Sequence, residues 1–461
     1  MSKPKGTIAF FFLALAFAIA PAPGRAAAQQ LASGSRAQPA PSSQNPIASG
    51  GHAPGAASRE GPEKITAYTL PPVLYERAKQ LENIRLTLFI GAPIWTLCIL
   101  GLFLLGKLGP RYRDAAERAS SKLFVQVLVF APLFVLTLDI LQLPLAVFEH
   151  WELRNYRLSV QGWSSWALDW LKGELVEVII AFILISILYG VIRKSPRLWW
   201  LWFWLLLLPL VVLLSFVQPL VIDPLFHKFE PLEQKDPLLT GELEKMVQRA
   251  GQNIPPERMY WMNASEKVNE LNAYVTGIGR SKRIVLWDTT IAKMSRPEIV
   301  AVAGHEMGHY VLHHIPKGLA IYSLASLIIS YLGYCSVAGL LACRGPAWGI
   351  RGSEDLASLP VLLVILTVFA ILLTPVGNAL SRHFEHQADQ YSLEVTHGLT
   401  PDAGQVAARS FQVLGEVDLE YPDPGRLNVV LTYDHPAIRD RVQFALSYDP
   451  WKQGGHGEFV H

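Results

Sequence analysis

Ser295-Arg296-Pro297-Glu298-Ile299-Val300-Ala301-Val302-Ala303-Gly304-His305-Glu306-Met307-Gly308-His309 reads as one helix with a metal-binding face. Ser295 and Glu298 form an S-x-x-E capping box, and Pro297 suits the first turn. Apolar residues then carry the chain to His305 in the third turn. His305 and His309 are four residues apart, so both imidazoles project from one face and can reach one ion. Glu306 stands beside the first imidazole, where a carboxylate can take a proton from metal-activated water. The H-E-x-x-H pattern predicts a zinc site for peptide hydrolysis.

The surroundings of this helix are unusual for a soluble hydrolase. Of 461 residues only 17% are charged, against about a quarter in soluble chains, and the mean hydropathy is +0.26. Six apolar stretches are long enough to cross a bilayer. They run approximately Leu86–Gly106, Leu123–Phe148, Val176–Ile192, Leu198–Val221, Leu319–Ala342 and Leu356–Pro375. Trp199, Trp200, Trp202 and Trp204 suit an interfacial belt. Glu177 reads as a helix-end residue, the sharper alternative being a polar interior faced by both Glu177 and Asp139, and Asp139 is left open. The formal net charge of +2 gives no field directed at nucleic acid. Cys98, Cys335 and Cys343 lie in or beside apolar runs without C-x-x-C spacing, which predicts buried, lipid-side packing rather than disulfides.

Residues 1–28 carry Lys3 and Lys5, an apolar run and a small-x-small site ending at Ala28, the pattern of a signal peptide or else a first membrane helix. Residues 29–61, rich in Ala, Pro, Ser, Gly and Gln, read as a disordered linker. Residues 62–222 form an N-terminal membrane region. Residues 223–461 form a catalytic part interrupted by a transmembrane hairpin at about 319–375. Within it, a helix from Leu239 to Ala250, strands near Arg258–Met262 and Arg283–Trp287, and an edge strand at Ala273–Gly277 are expected. A charged helix from about Asn378 and another from about Pro401 follow. Lys107, Arg111, Arg113, Arg118 and Lys122 mark one cytoplasmic loop, and Arg193, Lys194 and Arg197 another. Counting crossings from these loops places the catalytic side outside the cytoplasm.

A catalytic zinc site needs a third protein ligand. His313 lies about 12 Å from His305 along a straight helix and is excluded. Leu312 and Ile315 exclude the extended H-E-x-x-H-x-x-G-x-x-H pattern. Asn378–Asp389 offers His383, Glu385 and His386. Glu385 and Asp389 share a face, so Glu385 could bind the ion while Asp389 accepts a proton from a ligand imidazole. Spacing alone leaves the three candidates open.

His305-Glu306-Met307-Gly308-His309 with Glu385-x-x-Ala388-Asp389 resembles the type I CAAX prenyl endopeptidases, integral-membrane zinc peptidases. Pro224–Leu232, Asn272–Gly277, Lys282–Thr289 and His435-Pro436 with Arg441 are also similar to segments of that family. The resemblance covers roughly Tyr68 to Tyr448. It implies a mainly α, multi-pass membrane fold: a ring of helices around a water-filled chamber, with a soluble zinc-peptidase part holding a small β element. It implies one zinc ion on His305, His309 and Glu385, with Glu306 as general base. His435 would stand near the developing oxyanion, and Asn272 with Ala273, Tyr274 and Val275 would bind the substrate backbone. Their residue-level alternatives are a turn-capping Asn272, a helix-start His435 and a structural ion-pair role for Arg441. His227 departs from the family's Asn. The cleavable N-terminus leaves six mature spans instead of seven, and the outward catalytic side also differs from the eukaryotic pattern.

The resulting expectation is a membrane-embedded zinc metalloendopeptidase of the bacterial inner membrane, acting on a peptide or protein that is lipidated or membrane-associated. A quality-control peptidase for membrane proteins is the neighbouring reading. A transporter or receptor with a structural metal site is the rival class; such a site is normally closed by four ligands and has no use for Glu306. Oligomeric state is not legible.

Overall fold

A computed structural model of the chain describes residues 64–277 and 281–460. The expected signal segment and the whole of the expected linker lie outside the described residues. Six helices among the described residues are long and apolar enough to cross a membrane.

The first half is helical: α1 (Pro72–Leu105), the short α2 (Leu108–Ala119), α3 (Leu123–Asn155), α4 (Trp163–Lys194) and α5 (Trp199–Val217). The last continues through a π turn and a 3-10 turn to Leu225. Phe103, Phe130, Phe134, Leu184 and Tyr189 pack into the core of this bundle. The second half begins with β1 (Phe229–Pro231), α6 (Pro237–Arg249), β2 (Met259–Met262), β3 (Ala273–Thr276) and β4 (Arg283–Trp287). The sheet order is β1-β2-β4-β3, with β2 and β4 parallel and the other pairs antiparallel. Thus β3 is an edge strand, as its sequence suggested. The three-residue β1 was not legible, being too short to show alternation.

Then come α7 (Arg296–Val311), α8 (His314–Trp348), α9 (Leu359–Thr396), α10 (Ala403–Val417), α11 (Arg426–Thr432) and α12 (Ile438–Ser447). The capping box at Ser295 and Glu298 is formed in both directions. A second core joins the sheet, α6, α7, the end of α9, α10 and α12 through Leu243, Ile284, Ile299, Met307, Tyr391 and Val442.

Two expectations change. Pro375 predicted the end of a span and a separate helix from Asn378, but α9 runs unbroken through Pro375. Long membrane helices tolerate an internal proline because neighbouring groups satisfy the freed carbonyl. Glu177 is not at a helix end, since α4 starts at Trp163, and its carboxylate stands with Asp139 and Glu174. The cysteines are free, as expected, and lie exposed on membrane-length helices, so their cover is not protein.

The basic loops gather at the end of the bundle distant in sequence and contacts from the sheet. Arg113 pairs with Asp355 at 2.5 Å, Arg351 with Glu117 at 2.7 Å, and Arg193 donates to the Glu354 carbonyl. At the other end, Lys267 binds the soluble part to the bundle. Its carbonyl accepts from the amides of Val160 and Gln161, and its Nζ lies 3.3 Å from Asp169.

Two glycines set the distance between α7 and α9. A Cβ at Gly308 would stand 3.1 Å from Tyr391 Cβ and 3.2 Å from Ala388 Cα, and one at Gly304 3.1 Å from Val395 Cγ1. Ser392 Oγ donates to the Ala301 carbonyl across the same seam at 2.6 Å. Gly308→Ala is therefore expected to overpack the seam and cost about 1–3 kcal/mol. Gly190→Ala on α4, with nothing within 4 Å of the new methyl, is the control and loses no stability. Thermal unfolding of the two variants in detergent compares them.

Candidate active site

The helix α7 presents His305 and His309 one turn apart, with their Nε2 atoms separated by 3.4 Å. The helix α9 crosses this face and delivers Glu385. Its Oε2 lies 3.0 Å from His305 Nε2, and its Oε1 lies 3.5 Å from His309 Nε2. An ion bound tetrahedrally at about 2.0–2.1 Å separates its donors by about 3.3 Å. The 3.4 Å between the two imidazole nitrogens matches that edge, each imidazole has a Glu385 oxygen within 3.0–3.5 Å, and two imidazoles with one carboxylate suit such an ion. Glu306 is buried next to His305 on α7.

Spacing left His383, Glu385 and His386 open; in the structure only Glu385 reaches the histidines of α7. His383 and His386 are exposed. The His386 ring packs on Phe444 at 4.4 Å, and the His383 ring lies 6.1 Å from Phe384. His313 is also exposed, at a break in the chain after α7.

The rear nitrogen of His305 is held by a charged pair. Its Nδ1 lies 2.6 Å from Asp389 Oδ1. Arg441, from α12, donates to both oxygens of Asp389, at 2.8 Å from Nε and 2.6 Å from Nη2. The guanidinium lies 4.2 Å over the Phe411 ring. Burial opposes the Arg441 charge, but the Asp389 carboxylate raises its pKa. The guanidinium thus neutralises a carboxylate that would otherwise be buried alone.

His435 lies in the loop between α11 and α12. Its Nε2 is 3.0 Å from Glu385 Oε2, and its Nδ1 is 2.5 Å from Asp434 Oδ1. The loop is fastened from two sides. Arg382 donates to the carbonyls of Val429 and Tyr433, Asn378 to that of Leu431, and the Tyr433 hydroxyl to Glu82 of α1. Arg382 is thus a backbone clamp. Asp434 escaped the sequence reading, although its place beside His435 was a signal.

Asn272 precedes β3. Its backbone is locked by Thr290, which accepts from its N–H and donates to its carbonyl, each at 2.8 Å. Its buried Oδ1 has no hydrogen-bond partner among the described residues. Ala273, Tyr274 and Val275 form the edge strand, paired with β4 on one side. The Tyr310 hydroxyl on α7 donates to the Gly277 carbonyl at 2.8 Å, tying the turn after β3 to the metal helix. Burial, then the Glu306 charge, raises the Tyr310 pKa and keeps it a neutral donor. His227 is buried too; burial and the charge of Lys267 lower its pKa to about 3, so it stays neutral.

Comparison with known proteins follows the same division of the chain. Residues 233–449 match the model of peptidase family M48, and residues 56–228 match the CAAX prenyl protease N-terminal model, described as five membrane helices. A Bacillus subtilis protein named as an uncharacterised metalloprotease, YhfN, is 35% identical over 388 residues, covering 84% of this chain and 88% of its own. The chain belongs to peptidase family M48. CAAX prenyl protease 1 of Saccharomyces cerevisiae is 26% identical over 403 residues, covering 81% of this chain and 82% of its own. The crystal structure of S. mikatae Ste24p superposes with a TM-score of 0.69 at 23% identity, covering 82% of this chain and 91% of that one. This M48 member is a multi-pass membrane metalloendopeptidase, as the sequence resemblance implied. Family membership implies a catalytic metal, and the His305, His309 and Glu385 donors fit one.

Asp389→Asn and Arg441→Met are each expected to weaken metal binding about 10–100-fold by loosening His305. His383→Ala and His386→Ala should leave it unchanged. Metal titration of the purified variants against a competing chelator measures both sets.

Proposed function

We propose that this M48 peptidase is a zinc endopeptidase in which His305, His309 and Glu385 hold the ion and Glu306 is the general base. The observation that carries the reading is the convergence of His305, His309 and Glu385 on one point, with the two imidazole nitrogens 3.4 Å apart and Glu306 adjacent. Zinc supplies Lewis acidity, polarising the scissile carbonyl and bringing its water towards a pKa of about 7. Glu306 takes the proton from the attacking water and passes it to the leaving amine. His435, oriented by Asp434 through Nδ1, directs Nε2 towards the oxyanion. Asn272 Oδ1 accepts from a substrate amide, and Ala273–Val275 pair with an extended substrate as an added strand. The one-sided pairing of β3 and the orphaned Asn272 oxygen support that placement.

The inferred substrate is an extended segment of a membrane-associated peptide or protein. The catalytic side is assigned outside the cytoplasm of a bacterial inner membrane, supported by the basic loops at the opposite end of the bundle. The relatives named CAAX prenyl proteases give a lipidated substrate as the counterpart reading, which an inward-facing site would favour. A reporter fused near Gly251 should give an outside signal; a cytoplasmic one would reverse the orientation and restore that counterpart.

Purified protein should cleave a fluorogenic peptide in a chelator-sensitive manner and contain about one zinc per chain. Glu306→Gln should retain the zinc and lose turnover. Hydrolysis surviving in that variant would remove Glu306 as base. His435→Ala should lower kcat about 10²–10³-fold while leaving the metal in place.

A further inference from the structure

The helix α7 ends at Val311, and the chain turns at Leu312 and His313, whose φ of +57° is left-handed. The turn folds the first residue of α8 back against α7. That residue, His314, is only 3% exposed. Its Nδ1 lies 3.2 Å from His309 Nδ1, and its Nε2 lies 3.0 Å from Gln387 Oε1. Its ring stacks on Phe384, with centroids 4.5 Å apart and planes 11° from parallel. Phe384 and Gln387 flank Glu385 on α9, so the helix that supplies the third ligand also fixes this imidazole.

The proton positions follow in order. His309 turns Nε2 towards His305 and Glu385, so that nitrogen is the metal donor and carries no proton. The ring proton of neutral His309 is therefore on Nδ1, aimed at His314 Nδ1, which accepts it. His314 then carries its own proton on Nε2 and donates it to Gln387 Oε1. Each tautomer forces the next, and the amide oxygen at the end closes the sequence.

We propose that His314 is the positioning residue of the metal ligand His309, acting through a neutral His309–His314–Gln387 relay that sets the metal affinity of the site. This rests on the ligand set proposed above. It assigns to His309 a support unlike that of His305, which leans on the charged Asp389–Arg441 pair.

A purely space-filling His314 makes the opposite forecast for two substitutions. His314→Phe keeps the ring that stacks on Phe384 and removes the acceptor. His314→Asn keeps an acceptor, since its Oδ1 falls where Nδ1 was, and removes the ring. Zinc affinity is measured on purified full-length protein in detergent by competition with a chromogenic chelator, alongside the visible absorption of the cobalt-loaded form. His314→Phe is expected to bind zinc about 10–100-fold more weakly with altered cobalt bands, and His314→Asn to stay near the parent on both readouts. Parent-like affinity in His314→Phe, or a greater loss in His314→Asn, overturns the relay while leaving the ligand set standing. A parent protein that binds no zinc overturns both. Should His314→Phe fail to fold, Gln387→Leu carries the test, with about tenfold weaker zinc expected; unchanged affinity there overturns the relay.

Discussion

Everything at the site depends on how closely α7 and α9 approach. His305 and His309 come from one helix and Glu385 from another, and contacts of 3.0–3.5 Å among them leave little room for drift. Gly304 and Gly308 provide the approach, one turn apart on the same seam, opposite Ala388 and Ser392. Gly308 therefore has a steric duty within the H-E-x-x-H motif, between Glu306 and His309. The seam continues into the soluble core through Met307 and Tyr391, so packing rather than the ion sets the helix spacing.

The second constraint is the length of the membrane helices. At 38 residues, α9 extends about 57 Å, while a hydrocarbon core takes about 30 Å. Glu385 lies 26 positions after Leu359, about 39 Å along that rod, beyond the apolar stretch that ends near Pro375. One element thus spans the bundle and brings Glu385 to His305 and His309. Arg382 and Asn378, on the same projecting part, clamp the loop that carries His435. The site is assembled on a helix end held by the bundle, which makes a metallopeptidase centre compatible with a mostly lipid-solvated chain.

The sequence exposed those parts whose physics is local. The capping box, the i, i+4 histidines and the six apolar runs each depend on periodicity within a short window, and each has its counterpart in the structure. The choice among His383, Glu385 and His386 is not local, because it turns on which face of α9 meets α7. The continuity of α9 through Pro375 was hidden because a proline breaks helices in water but only perturbs those embedded among neighbours. His314 was hidden for a related reason. It meets His309 across a turn, and the left-handed break at His313 gives no apolar pattern. His313 is exposed at the end of α7, and the next residue folds back to His309.

The unequal support of the two imidazoles has an electrostatic logic. A buried site tolerates little net charge, because each uncompensated ion loses several kcal/mol of solvation. With a divalent ion in place, ionised Glu385 and Glu306 balance its charge, and Arg441 balances Asp389. The centre is then neutral before His309 receives any partner. A second carboxylate behind His309 would add negative charge to that balance, whereas the side chain that meets its Nδ1 is the imidazole of His314. A neutral imidazole ending on the Gln387 amide orients the ring at no cost in charge. In that arrangement the charged support behind His305 and the neutral support behind His309 are two halves of one requirement: both ligands are held, and the pocket stays balanced around Glu306.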